Sequence, residues 1–369
     1  MLRDNNQYLL GLTRPEIKEI LENQGLPAFA AKQIYDWIYR KFEYNVENWS
    51  NLSKKSRAFL SEGLPLGLPK IVWEGVSRDG TRKFLVKLAD GNTVETVAIP
   101  SRDRLTLCVS SQVGCAIGCT FCHTGTQGLT RHLKAHEIVG QFMAVSKWIQ
   151  DKVDPELRLT NIVYMGQGEP LHNFEAVKKS IEIMMDDHGL YLGQRKITVS
   201  TSGLVPQIKK LVDFPPVNFA ISLHAAYDDV RTELMPINKV YDLKRLFTAI
   251  KSIPLKAHRR ITYEYLLIDG LNDSARDVQA LCELLNRAES KVNIIPFNEY
   301  PGSDFKRPSE SKVNWFMGEL NKRGMRTTVR TTKGHDILAA CGQLKTQVET
   351  LNLWNPEKHQ TSPGQPVHF

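Results

Sequence analysis

At 369 residues, 41% of them hydrophobic and 24% charged, the chain carries enough apolar mass for a large core, and its length points to about two domains. No stretch reaches the ~20 consecutive apolar residues that cross a bilayer, and no targeting segment precedes the first helical pattern, which predicts a cytoplasmic protein with reduced cysteines and no membrane partner. The formal charge of +8 suits a polyanionic partner, although excess lysine also serves simply as a solvated surface.

In chain order, Thr13-Arg-Pro-Glu16 predicts a helix start, with Thr13 as cap, Glu16 completing the box and Pro15 in the first turn. Helical patterns follow over 27–42 and 54–62, so residues 1–65 read as an N-terminal helical accessory domain. From 71 to 99 short alternating segments are broken by the hairpin pairs Asp79-Gly80 and Asp90-Gly91, which predicts a separate β ribbon over 66–100. From Leu105 onward, strand-like runs at 105–110, 160–165, 196–201, 217–223, 260–268, 292–297 and 326–331 alternate with amphipathic helices. In the helix expected over 135–149, Ile138, Phe142, Val145 and Ile149 recur at a helical period. Six βα units and a seventh strand predict an α/β fold, a partial parallel (βα)6 barrel over 101–350, with a loose tail over 351–369. Chemistry in such folds gathers at the carboxyl ends of the strands.

The loop after the first of these strands holds Cys115, Cys119 and Cys122 in Val113-Gly-Cys-Ala-Ile-Gly-Cys-Thr-Phe-Cys-His123. A [4Fe–4S] cluster has four irons, each wanting one thiolate, and this spacing supplies three from a loop tight enough to wrap one cubane. One iron stays open, able to chelate the amino and carboxylate groups of S-adenosylmethionine, and the arrangement resembles the radical SAM enzymes. Zinc held with His123 is a weaker reading, because no second C-x2-C knuckle exists. Haem attachment at Cys119-Thr-Phe-Cys122-His123 needs export, for which no apolar signal region is present. Thioredoxin-like use of Cys119 and Cys122 leaves Cys115 without a task.

Further polar motifs follow later strands. Gly166-Gln-Gly-Glu-Pro170 lets backbone approach closely and offers Glu169 to an ammonium group. It is not a dinucleotide fingerprint, since Leu171 stands at the third glycine position. Ser200-Thr-Ser-Gly203, Ser222-Leu-His224 and Asn298 end three more strands, and each alone reads as ordinary strand-end capping. Their common rim favours a shared polar ligand. Two cysteines lie outside the loop at chemically suggestive places, Cys108 within the first barrel strand and Cys341 in Ala339-Ala-Cys-Gly-Gln343, while Cys282 reads as a small buried hydrophobe.

Seven runs together carry a specific resemblance: Val94-Glu-Thr-Val-Ala-Ile-Pro100, Leu107-Cys-Val-Ser-Ser-Gln-Val-Gly-Cys115, Gly166-Gln-Gly-Glu-Pro-Leu171, Val199-Ser-Thr-Ser-Gly203, Ala220-Ile-Ser-Leu-His224, Ile295-Pro-Phe-Asn298 and Ala339-Ala-Cys-Gly-Gln343. In this order, over nearly the whole chain, they resemble the RlmN/Cfr family of radical SAM RNA methyltransferases. His123-Thr-Gly-Thr differs from some members but replaces no cluster ligand.

The resemblance implies a [4Fe–4S] cluster on Cys115, Cys119 and Cys122, and S-adenosylmethionine bound at Gly168, Glu169, Ser200, Ser222, Leu223, His224 and Asn298. It implies that Cys341 first takes a methyl from one S-adenosylmethionine, that a second yields a 5′-deoxyadenosyl radical, and that the resulting methylene radical on Cys341 adds to adenine. Cys108 would resolve the adduct through a transient disulfide with Cys341, and Glu95 would take the ring proton. Carbon 2 of adenine is electron-poor and cannot attack an electrophilic methyl, which is why a radical route is needed. The implied substrates are an adenosine of 23S ribosomal RNA near the peptidyl-transferase centre and an adenosine in certain tRNAs. A reduced flavodoxin-type donor and a monomer are the further expectations. Carbon 8 of the same ribosomal adenosine is the closest alternative target. A non-catalytic RNA-binding protein with a structural metal is the alternative of a different class. Phosphate contacts are expected from Lys54-Lys55, Arg131-His-Leu-Lys134, His258-Arg-Arg260 and Lys322-Arg323, though each cluster alone reads more readily as solvated surface.

Overall fold

The computed structural model describes residues 7–253, 255 and 259–344, so the tail assigned to 351–369 and His258 lie outside the described residues. Helix α1 (Arg14–Asn23) begins on the expected box: Thr13 N donates to Glu16 Oε2 at 2.7 Å, and Glu16 N donates to Thr13 Oγ1 at 3.5 Å. Helix α2 (Ala30–Tyr35) runs on into a π-helical turn, Asp36–Arg40, so the pattern over 27–42 is one continuous but irregular element. It buries Ile34, Tyr35, Ile38 and Tyr39, and the two tyrosine hydroxyls donate to Leu12 O and Leu10 O. Helix α3 (Lys54–Gly63) starts on Ser53, whose Oγ accepts from Ser56 N at 3.0 Å.

A ten-stranded sheet follows, with strands β1 (Lys70–Val76), β2 (Arg82–Lys87), β3 (Thr93–Ser101) and β4 (Arg104–Cys108) pairing antiparallel in turn. Gly80 and Gly91, at φ 82° and 89°, make the two hairpin turns the sequence announces. The ribbon is not a separate unit, however. Val97 pairs with Cys108 and Ser101 with Arg104, so β3 and β4 form one further hairpin and the ribbon extends the main sheet. A short side hairpin, β5 (Gln112–Gly114) with β6 (Leu129–His132), flanks the cysteine loop.

From β4 the sheet is parallel. Strands β7 (Asn161–Tyr164), β8 (Ile197–Thr201), β9 (Asn218–Ser222), β10 (Ile261–Leu267), β11 (Ser290–Pro296) and β12 (Thr327–Val329) succeed it in order, all seven near their expected places. Helices α4 (Ala135–Lys152), α5 (Phe174–Met185), α6 (Val205–Ile208), α7 (Asp228–Leu234), α8 (Leu243–Ile250), α9 (Ala275–Leu284) and α10 (Glu310–Lys322) fill the crossovers. Alternation along β7 and β8 sends Ile162, Tyr164, Ile197 and Val199 into the core, as helix cover on one face requires. One apolar cluster joins Leu10, Ile17 and Tyr35 of the N-terminal helices with Ile138, Phe142 and Ile181 of the barrel helices. Arg14 adds ion pairs to Asp186 at 3.0 Å and Asp187 at 2.9 Å just beyond α5.

The barrel is open, since among the described residues β12 pairs with β11 alone and β1 with β2 alone. The segment after β12 crosses back over the ribbon. Asp336 accepts from Ser77 Oγ and Arg78 N, Lys83 Nζ donates to Leu338 O at 3.3 Å, and Ala339 and Leu344 pack with Val97 and Cys108. These contacts carry Cys341 to the carboxyl rim of the strands.

Candidate active site

The cysteine loop is shaped by close backbone contacts. Cys115 N donates to Gly128 O at 2.8 Å, and a Cβ on Gly114, at φ 75°, would stand 1.9 Å from that same oxygen. Cys122 N donates to Cys119 O at 3.1 Å and Gly125 N to Cys122 O at 2.9 Å, curling the loop on itself. Cys115, Cys119 and Cys122, all half-buried, line one cleft of about 900 Å3 at the strand ends. Burial pushes the Cys115 thiol up to about 12 and those of Cys119 and Cys122 upward too, with neighbouring thiols adding to the effect. Such thiols ionise only when a cationic centre arrives. Among the described residues no group of three His, Cys, Asp or Glu side chains is drawn closely enough to hold a single metal ion. His123 turns aside, its ring stacked on Tyr300 at 4.7 Å. A multi-iron cubane, whose thiolate ligands each bind a different iron and so stand further apart than the ligands of one ion, suits this loop better than zinc does.

Cys341 sits in a tight turn. Gln343 N donates to Ala340 O at 3.0 Å, and Gln343 Nε2 donates to Glu299 O at 2.7 Å. His123 N donates to Gly342 O at 2.7 Å and Thr124 Oγ1 to Leu344 O, fastening this turn to the cysteine loop. Cys341 therefore lines the first cleft together with the three loop cysteines. It also lines a second cleft, of about 1060 Å3, whose wall includes Cys108, Asn298, Arg104 and Lys333. Met165 and Arg330 stand on both walls beside it, Arg330 Nη1 donating to Met165 Sδ at 3.5 Å. Burial pushes the Cys108 thiol up to about 12, with Cys341 reinforcing the shift and Arg330 opposing it.

The rim of the first cleft carries Gly168, Glu169, Ser200, Ser222 and His224. Gly168 has φ 102°, and a Cβ there would lie 2.6 Å from Gln112 Cβ. Glu169 accepts from Ser202 N at 2.7 Å and Leu171 N at 3.0 Å; burial raises its pKa while these donors hold it back. His224, at φ 61°, accepts from Leu266 N on Nδ1 at 3.1 Å. Burial pulls it down to about 3, so it is neutral with its proton on Nε2. Leu223 is fully buried and lines neither cleft; its N–H donates to Glu264 O. Asn298 lines only the second cleft and donates from Nδ2 to Cys341 O at 3.3 Å. Glu95 is buried on β3, 3.3 Å from Lys83 Nζ, and lines neither cleft.

Two family models match the chain, the Radical SAM superfamily over residues 109–285 and the ribosomal RNA large subunit methyltransferase N-terminal domain over 7–64. The dual-specificity RNA methyltransferase RlmN of Dinoroseobacter shibae is 45% identical over 353 residues, covering 92% of this chain and 90% of its own. That of Rhodospirillum rubrum is 46% identical over 342 residues, covering 91% and 80%. A crystal structure of a radical SAM methyltransferase from Sphaerobacter thermophilus superposes with a TM-score of 0.86 at 43% identity, covering 92% of this chain and 99% of that one. The chain belongs to the RlmN family of radical SAM RNA methyltransferases. Membership in the radical SAM superfamily implies S-adenosylmethionine and a [4Fe–4S] cluster, and the three-thiol loop is a donor set that fits that cluster.

Three residues at this RlmN-type site escape the sequence reading. Arg231, 1% exposed, donates from Nε to Leu223 O at 3.1 Å, from Nη2 to Ser202 O at 2.8 Å and Ser222 O at 3.3 Å, and from Nη1 to Asn238 Oδ1 at 2.7 Å. Burial pulls its guanidinium down to about 10, which still leaves it charged at neutral pH. Glu264 and Arg330 both line the first cleft; burial raises the Glu264 carboxyl, with Arg330 opposing it, and Asn293 Nδ2 donates to it at 2.7 Å. A glutamate inside the apolar run Ile261-Thr-Tyr-Glu-Tyr-Leu-Leu267 was a readable signal, whereas Asp228-Asp-Val-Arg-Thr-Glu-Leu234 looks like any exposed helix. The basic clusters fare unevenly. Arg131 is committed to Asp90 and Glu137, at 2.6 and 2.8 Å, and Lys322 and Arg323 both pair with Glu319. Cys282 packs against the core but is only half-buried, not the buried residue expected.

Proposed function

We propose that this protein methylates carbon 2 of an adenosine in 23S ribosomal RNA near the peptidyl-transferase centre, and of an adenosine in certain tRNAs, in the cytoplasm. The observation that carries the reading is the position of Cys341, on the wall shared by a cleft with three loop thiols and a cleft with Cys108. A carrier thiol must meet a methyl and radical source on one side and a nucleotide on the other. The basic and hydroxylic lining of the second cleft, Arg104, Lys333, Ser101 and Thr332, supports entry of the nucleotide there.

In this reading Cys115, Cys119 and Cys122 hold the cluster as thiolates. Glu169 accepts the ammonium of S-adenosylmethionine. Gly168, Ser200, Ser222 and His224 line its remaining groups, while Leu223 acts through its main chain and Asn298 through the Cys341 turn it supports. When bound, the cluster and S-adenosylmethionine together supply a 5′-deoxyadenosyl radical, fed by a reduced flavodoxin-type donor. Cys341 carries the methyl, loses one hydrogen from it, and forms a bond to the base. Glu95 takes the ring proton, which requires it to leave Lys83 or to act through water. The unpaired electron left on the adduct would pass back to the cluster; Cys108 as thiolate then attacks the sulfur of Cys341, the carbon–sulfur pair goes to the methylene carbon, which takes up a proton to become the methyl group, and a disulfide remains. The protein is read as a monomer.

The resolving role has a direct test. Cys108→Ala is expected to accumulate a covalent protein–RNA adduct, seen as a nuclease-sensitive band on a denaturing gel. Normal turnover by that variant would remove the role.

A further inference from the structure

We infer that helix α7, through Arg231, is the bracket that fixes the cluster loop to the S-adenosylmethionine-binding strand ends, and that Arg231 is a positioning residue supplying a buried positive charge beside Cys119. The inference rests on the cofactor reading above. Arg231 reaches from α7 to three main-chain carbonyls, those of Ser202 beyond β8 and of Ser222 and Leu223 at the end of β9. The same helix holds the cysteine loop at its other end. Thr120 N donates to Leu234 O at 3.0 Å, and Thr120 Oγ1 donates to Glu233 O at 3.2 Å, between Cys119 and Cys122 in sequence. One seven-residue helix thus sets the distance between the loop and the rim.

The charge itself calls for an explanation. Among the described residues no ion pair joins Arg231 to a carboxylate; Asp228, on the same helix, accepts instead from Asn238 Nδ2 and Leu243 N, both at 2.9 Å. A buried cation answered by carbonyls alone is costly to keep, and an apolar side chain would fill the space more cheaply. Cys119 adjoins Thr120, which α7 holds through Leu234 O and Glu233 O, so the same short helix carries both the guanidinium and the anchor of the cluster loop. A cluster bound by three thiolates is anionic and gains a further negative charge on reduction. A fixed guanidinium nearby eases that step, as net charge and hydrogen bonding set iron–sulfur potentials.

The full-length protein, anaerobically reconstituted, separates the two roles through Arg231→Lys and Arg231→Gln, each checked for iron and sulfide content. The midpoint potential is read by redox titration followed by electron paramagnetic resonance, and S-adenosylmethionine affinity by the change it causes in the reduced-cluster spectrum. Arg231→Gln is expected to shift the potential negative and to weaken S-adenosylmethionine about tenfold. Arg231→Lys is expected to keep the potential and lose the affinity, since it keeps the charge without the fork. Wild-type potential and affinity in Arg231→Gln would overturn the inference. If that variant fails to assemble, Thr120→Val decides: full iron content with a weakened S-adenosylmethionine signature supports the bracket, and an unchanged signature overturns it. Wild-type protein that assembles no cluster, or whose cluster ignores S-adenosylmethionine, would instead sink the cofactor reading.

Discussion

Gly168 shows how one atom decides the site. Its φ of 102° is open to glycine alone, and a Cβ would press within 2.6 Å of Gln112, whose Oε1 accepts from Glu169 N at 2.8 Å. Gly168→Ala is expected to displace Glu169 and to weaken S-adenosylmethionine by at least about tenfold while leaving iron content intact, because the three cysteines come from a different segment of the chain whose own backbone bonds shape their loop. Unaltered affinity by equilibrium dialysis would contradict this. At the same scale, the loop cysteines are legible as a candidate metal-binding set because their spacing is local, whereas Cys341 enters only through the resemblance, since nothing in its spacing says that the chain folds back to the same rim. Arg231 was not legible, because its meaning lies in carbonyls contributed by two distant strand ends. Glu95 was legible only by resemblance, and its ion pair with Lys83, a neighbour across the β2–β3 hairpin, leaves its base role to be tested.

The elements themselves followed from pattern. Seven parallel strands stand where apolar runs predicted them, since each run is short, bounded by turn residues and covered by an adjacent amphipathic helix. The separateness of the ribbon did not survive, because pairing between β3 and β4 leaves no mark in the composition of either strand. Burial at element ends also sets a pH dependence. Against an ordinary value of 6.5, burial pulls His136 at the start of α4 down to about 4 and His224 beyond β9 down to about 3. Between those values and 6.5 the unfolded chain binds protons that the folded chain refuses, so stability rises with pH there. Their contribution is complete above about pH 6.5 and is lost as pH falls. Urea unfolding is expected to show lower stability at pH 5 than at pH 7, with a shallower slope in His136→Gln; an equal slope would contradict the assignment.

At the scale of the molecule, the N-terminal helices pack on the barrel helices, while the sheet and the C-terminal segment converge on one rim, which places Cys341 between two clefts. Charge reads differently in three dimensions than along the chain. Arg131, Lys322 and Arg323 are spent on internal pairs, whereas Arg104 and Lys333 line the second cleft. RNA affinity is therefore expected to fall at least about tenfold between ~50 and ~200 mM salt, and Lys333→Ala to flatten that dependence. A salt-independent affinity would argue against phosphate recognition. The central claim concerns the product. Protein-free 23S ribosomal RNA incubated anaerobically with the reconstituted enzyme, reductant and S-adenosylmethionine, then digested and examined by mass spectrometry against standards, should yield 2-methyladenosine together with 5′-deoxyadenosine. An 8-methyladenosine product, or no methylated adenosine from protein with an intact cluster, would contradict it.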